Sequence, residues 1–168
     1  LASTALAAGT LTLDGGSVTI GTTDCISTDI VLVVNSGTFN LNGFSQTVSS
    51  LSGSGGCVEG SSGAPTLTVR GTGSPSAYSG AISNTAGTVA VTKSETGTLT
   101  LNGANTYSGN TTISAGSLTL SGSGSIASSP VISLAGGATF DVSGLTTALT
   151  LASAQELKAT GTASSGTI

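Results

Sequence analysis

The run Gly97-Thr-Leu-Thr-Leu101 recurs as Gly116-Ser-Leu-Thr-Leu120 and, more loosely, as Gly137-Ala-Thr-Phe-Asp-Val142. Upstream relatives are Gly9-Thr-Leu-Thr-Leu13, Gly16-Ser-Val-Thr-Ile20, Gly37-Thr-Phe-Asn-Leu41, Thr66-Leu-Thr-Val69 and Gly87-Thr-Val-Ala-Val91. Each run alternates polar and apolar residues with a period of two, the signature of a half-buried strand. Leu99 and Leu101 therefore point one way, and Thr98 and Thr100 the other. Such a strand cannot bury its apolar face alone, and near-identical runs at a fixed interval call for stacking on one another.

From position 97 onward the copies are spaced by roughly 20 residues, the length of one solenoid coil. Second strands are expected between them at Thr111–Ser114, Val131–Leu134 and Ala148–Leu151. Stacking coils about 4.8 Å apart pairs each strand with its equivalents above and below. Interior ladders of Leu, Val and Ile follow, with Phe39 and Phe140 expected at the position of Leu99. A β-sandwich is the competing all-β reading, but sandwich strands need not resemble one another. Only Leu151–Ala159 has any helical composition. The expectation is an all-β parallel β-solenoid of about eight coils of roughly 20 residues, on the order of 40 Å of rod. It forms a single domain over residues 1–168, with a lead-in at 1–8, the clearest repeats at 9–142 and C-terminal coils at 143–168.

Composition supports order and narrows function. Ser, Thr and Gly fill half of the 168 residues, which alone would suit disorder, but 37% of the chain is apolar and only three residues are Pro. With three basic residues (Arg70, Lys93 and Lys158) and a net charge of −4, the chain lacks the basic cluster that phosphate backbones require. It has no apolar run of about 18 residues that would span a membrane as a helix. Ala5-Leu6-Ala7 resembles a signal-peptidase site, and the simplest reading is a chain that begins after any signal.

The two cysteines, Cys25 and Cys57, lack the close spacing and the His partners of a zinc site. One disulfide closing a loop of roughly 30 residues is expected of an exported chain, stabilising it by about 2–4 kcal/mol. Two buried free thiols are the alternative.

The segment from Gly97 to Leu120, with its Gly-Ala-Asn-Thr-Tyr-Ser-Gly-Asn centre at 103–110, resembles the autotransporter-associated β-strand repeat, also called the passenger-associated transport repeat. Phe39–Gly55 and Ala77–Ser83 resemble segments that accompany it. The resemblance implies a right-handed parallel β-helix in a large bacterial surface or secreted protein, exported through a Gram-negative outer membrane by a C-terminal β-barrel. No strand here carries the aromatic girdle of such a barrel, so the chain reads as a piece of a longer protein or as a free-standing solenoid.

Parallel β-helices also host polysaccharide-acting enzymes, which need grouped carboxylates or a carboxylate beside a base. The acids Asp14, Asp24, Asp29, Glu59, Glu95, Asp141 and Glu156 are scattered, and without His a Ser or Cys triad loses its usual base. The Gly-rich stretches 53–56 and 122–124 read as loops, because neither leads into a phosphate-binding fingerprint. Asn110-Thr-Thr112 is a glycosylation sequon without expected consequence on a bacterial strand. No catalytic residue, cofactor or metal ligand is expected.

The outward pairs Thr10/Thr12, Thr66/Thr68, Thr98/Thr100 and Ser117/Thr119 read first as ordinary exposed strand positions, and second as a flat array of the ice-binding kind. The functional expectation is a non-enzymatic extracellular structural or adhesive module, with surface carbohydrate or other cells as partners. The alternative is a filament subunit that stacks on itself through open solenoid ends.

Overall fold

The computed structural model describes residue 6, residues 8–71 and residues 76–160. Within them every regular element is a strand and every strand pairing is parallel. The coils stack as a β-solenoid of about seven turns, roughly 21 residues apart. Turn length varies between coils. Leu99 pairs with Leu118 nineteen positions on, whereas Val69 pairs with Lys93 twenty-four positions on.

The strands lie on three faces, the second of which is built from strands only in the earlier coils. The first contains the leading halves of β1 (Gly9–Thr19) and β2 (Ile30–Asn40), then β4 (Ser50–Ser52), β7 (Ser76–Tyr78), β10 (Thr98–Leu101), β12 (Ser117–Gly122) and β14 (Thr139–Leu145). A single bridge, Gly53 to Tyr78, joins its lower and upper parts. The second face contains the trailing halves of β1 and β2, then β5 (Cys57–Gly60) and β8 (Ala81–Asn84). The third is a six-stranded ladder of β3 (Gln46–Val48), β6 (Thr66–Val69), β9 (Ala90–Lys93), β11 (Thr111–Ile113), β13 (Val131–Ala135) and β15 (Glu156–Thr160).

Alternation sets the interior. Leu99 and Leu101 of β10 are fully buried between Leu118 and Leu120 on one side and β7 on the other. Phe140 continues the Leu99–Leu118 ladder as expected. Phe39 does not share that ladder: it pairs with Val18 and Val58 on the second face. β2 runs through the corner between two faces, so its later residues lie on a different side from its earlier ones. The copies at Thr66–Val69 and Gly87–Val91 likewise belong to the third face. The repeated runs thus build all three walls.

The expected strands at 111–114 and 131–134 form as β11 and β13, but Ala148–Leu151 does not. Its rung is taken by Glu156–Thr160, which pairs with β13 from Val131↔Glu156 to Ala135↔Thr160. Leu151 is exposed, while Leu145, Leu149 and Leu157 are only partly buried. Leu151–Ala159, the one stretch with any helical composition, is thus a turn followed by β15, because the parallel edge of β13 offers it a full ladder of hydrogen bonds.

Glycine opens these strands for a steric reason at the corner between the third and first faces. A Cβ on Gly97 would fall on the carbonyl oxygen of Gly71 one coil below, and a Cβ on Gly116 would fall on the carbonyl oxygens of Glu95 and Gly97. The column Gly71–Gly97–Gly116 lets successive backbones turn at coil spacing.

Candidate functional site

The ion pairs found among the described residues lie at that same corner. Lys93 is the last residue of β9 and occupies an interior rung between Val69 and Ile113. It is 1% exposed. Its ammonium donates to the carbonyl oxygens of Arg70 (2.8 Å), Ala115 (3.3 Å) and Glu95, so one cation ties the corners of three coils. Desolvation holds its pKa below the ordinary lysine value, partly opposed by the nearby Glu95 carboxylate.

Outside the same corner, Arg70 donates through Nε to Glu95 Oε1 at 2.6 Å and through Nη1 to Asp29 Oδ1 at 2.7 Å. The hydrogen bond to Glu95, then that to Asp29, raise the guanidinium pKa further. Asp29 and Glu95 are therefore partners of an arginine in a clasp along the rod. The other acids stand apart: Asp14 accepts from Asn35, Glu59 from Thr85 and Asp141 from Ser143. The Ser143 hydroxyl and backbone amide hold the Asp141 carboxyl below its usual range. Among the described residues no three His, Cys, Asp or Glu side chains gather as a metal site.

The expected disulfide between Cys25 and Cys57 is not formed, and both thiols are free. Cys57 lies on β5, which pairs with β2, which in turn pairs with β1, and Cys25 lies beyond the turn that follows β1, in the same coil. Two rungs of about 4.8 Å already separate the two coils by roughly 10 Å, beyond the Cα separation of about 7 Å that a disulfide spans. Each thiol has its own neighbour. Cys57 Sγ lies 3.1 Å from Ser83 Oγ, and burial, the larger effect, pushes its pKa up. Cys25 is buried and its Sγ lies 3.9 Å from Gln46 Oε1.

Besides Lys93, two further interior groups on the third face escaped sequence reasoning. Gln46 and Thr111 occupy the rung that Leu67, Val91 and Ile132 fill elsewhere on the third face. Thr111 shares a buried hydroxyl chain with Tyr107 (2.6 Å) and Ser129 (2.9 Å). The one available signal was a polar residue at an apolar register position, which requires the register first.

The threonine pairs do not form one array. Thr10/Thr12 stack on Val31/Val33, followed by Ser50/Ser52, before Thr98/Thr100 are reached, and Thr66/Thr68 lie on the third face. Instead, Thr47, Thr68, Thr92 and Thr112 align in consecutive register down the middle of the third face, followed by Ser133. The stretches 53–56 and 122–124 are turns and strand ends, and exposed Asn110 precedes β11, its carbonyl accepting from Val91 N–H. Beside the last coils a cavity of about 140 Å³ is lined by Ser125, Ile126, Leu145, Leu149 and Gln155, among others. Among the described residues no helix is long and apolar enough to cross a membrane.

Stacked parallel coils with interior ladders define a β-solenoid repeat protein. Residues 91–120, which run from β9 through β10 and β11 into β12, match the passenger-associated-transport-repeat. The fold and the matched repeat are consistent with an autotransporter passenger-type repeat protein. No curated protein and no solved structure matches the chain.

Proposed function

We infer that this chain is a non-enzymatic structural and adhesive module, displayed or secreted outside a Gram-negative cell and making polar contacts with surface carbohydrate or other cells. The observation that carries this reading is the transport repeat itself, embedded in a parallel solenoid whose outward strand positions are rich in Ser and Thr. The scattered acids and the use of Asp29 and Glu95 in the Arg70 clasp support a structural rather than catalytic use of charge.

A second reading, a filament subunit, draws on the edge of β1 that faces away from β2. That edge is a row of backbone donors and acceptors suited to receiving another coil, from the same protein or from a second copy. Low charge offers little repulsion against such stacking.

The test is expression of the complete protein in a Gram-negative host, followed by external protease shaving, binding to immobilised glycans and cells, and negative-stain microscopy of the released material. Cleavage at the cell surface with saturable binding supports the adhesive module. Long fibres with an axial repeat near the rod length support the filament. Protein protected inside the envelope contradicts both.

A further inference from the structure

Gln46 is a fully buried amide on a rung that three other coils fill with Leu67, Val91 and Ile132. Burying an amide in place of an aliphatic chain costs free energy unless every polar atom is used. Its Nε2 donates to the carbonyl oxygens of Thr22 (2.8 Å) and Ser45 (2.5 Å), which fixes the carboxamide from one side. That clamp turns Oε1 toward Cys25, whose buried Sγ is 3.9 Å away and supplies the only hydrogen bond that Oε1 accepts among the described residues. A soft nucleophile and a clamped amide carbonyl thus face each other in a buried site, under an exposed turn at residues 21–24.

We propose that Cys25 and Gln46 condense into an intramolecular thioester. Cys25 Sγ adds to Gln46 Cδ, forming the S–C bond. The Cδ–Nε2 bond breaks, the thiol proton passes to the departing nitrogen, and ammonia leaves. The step needs no oxidant, reductant or second substrate. The free thiol and intact amide of the structure are the reactant state. Proximity supplies the acceleration: a held pair reacts at an effective concentration that two free groups never reach.

Burial protects the product from water. Opening of the turn at 21–24 admits a primary amine, which attacks Cδ, forms an amide and releases the Cys25 thiol. The rod then carries a latent electrophile able to bond covalently to an amine-bearing surface. That last use rests on the adhesive reading, whereas formation of the thioester does not.

The experiment is intact-mass spectrometry of the full chain, purified at mildly acidic pH without amine buffers. The expected mass is about 17 Da below that of the sequence, from loss of one ammonia. Cys25→Ser and Gln46→Glu each restore the full mass of their own sequence with the strand circular-dichroism signal retained. Treating wild-type protein with methylamine gives a product about 14 Da above the sequence mass and exposes one additional titratable thiol. This readout needs no variant, so it stands even if a substitution impairs folding. A folded wild-type chain at full mass with two titratable thiols overturns the proposal. So does a mass deficit that survives Cys25→Ser, which would place the lost ammonia at another amide. Failure of amine capture on cells, with the deficit intact, overturns only the adhesive use.

Discussion

The ammonium of Lys93 reaches back one coil to the carbonyl oxygen of Arg70, 2.8 Å away, from a rung that Val69 and Ile113 fill in adjacent coils. A cation stands where the pattern calls for an aliphatic side chain, and it replaces packing with hydrogen bonds to three carbonyls. Lys93→Met keeps the length and removes the donor. The expected loss is about 1–3 kcal/mol in a urea titration near neutral pH, the cost of leaving buried acceptors without their partner.

The same residue sets a pH dependence. Burial holds the folded-state pKa of Lys93 below its ordinary value. Between the folded and unfolded values, the unfolded chain binds more protons, so stability rises with pH in that alkaline window. Below the window the penalty of the buried charge is present in full. Lys93→Met should flatten this rise in denaturation midpoints measured across the window.

Tyrosine ionisation should report folding directly. The chain has two tyrosines, Tyr78 and Tyr107, and both are essentially inaccessible. Burial is the main cause pushing both phenols above the usual value of 10.0. Their folded pKa values are raised, so the unfolded chain loses protons first and stability falls as pH climbs past about 10. An alkaline titration of tyrosinate absorbance should therefore show no gradual phase. The signal should appear only with cooperative loss of the strand circular-dichroism signal.

Gly97→Ala should be among the most damaging single-methyl additions. The new Cβ would overlap the backbone oxygen of Gly71, and backbone cannot move aside without opening the corner. A loss of about 3 kcal/mol or more is expected. Gly137→Ala, with φ of 80° and nothing within 4 Å of its Cβ position, is the control. Its cost comes from backbone strain alone, about 1 kcal/mol. Comparing the two melting curves separates close approach from conformational preference.

Much of this architecture was legible before the structure because period-two alternation and recurrence of a Gly-opened run act on the same residues. Leu99 inward and Thr98 outward follow from alternation, and the pairing of Leu99 with Leu118 follows from recurrence. Which wall a run builds was not legible, since Leu41 and Leu99 look alike in sequence and differ only in where the corner falls. The short final strand at Glu156–Thr160 was hidden because its charged residues lie on an exposed ladder position that parallel pairing tolerates. The Lys93 and Gln46 rungs were hidden for a further reason. A polar residue inside a solenoid is stabilised by carbonyls from other coils, and sequence spacing does not identify them. The cysteines misled because their number suggested a pair, whereas coil register separates them.

The register itself is most directly tested by cross-linking outward threonines in a chain carrying Cys25→Ser and Cys57→Ser. Thr68 and Thr92 are direct partners on adjacent coils, whereas Thr47 is two rungs from Thr92. The Thr68→Cys with Thr92→Cys variant should form an intramolecular disulfide under mild oxidation, because neighbouring parallel strands sit about 4.8 Å apart. The Thr47→Cys with Thr92→Cys variant should stay reduced. Efficient bridging of the distant pair, or none of the near pair in a folded chain, would contradict the stacked-coil solenoid on which the account rests.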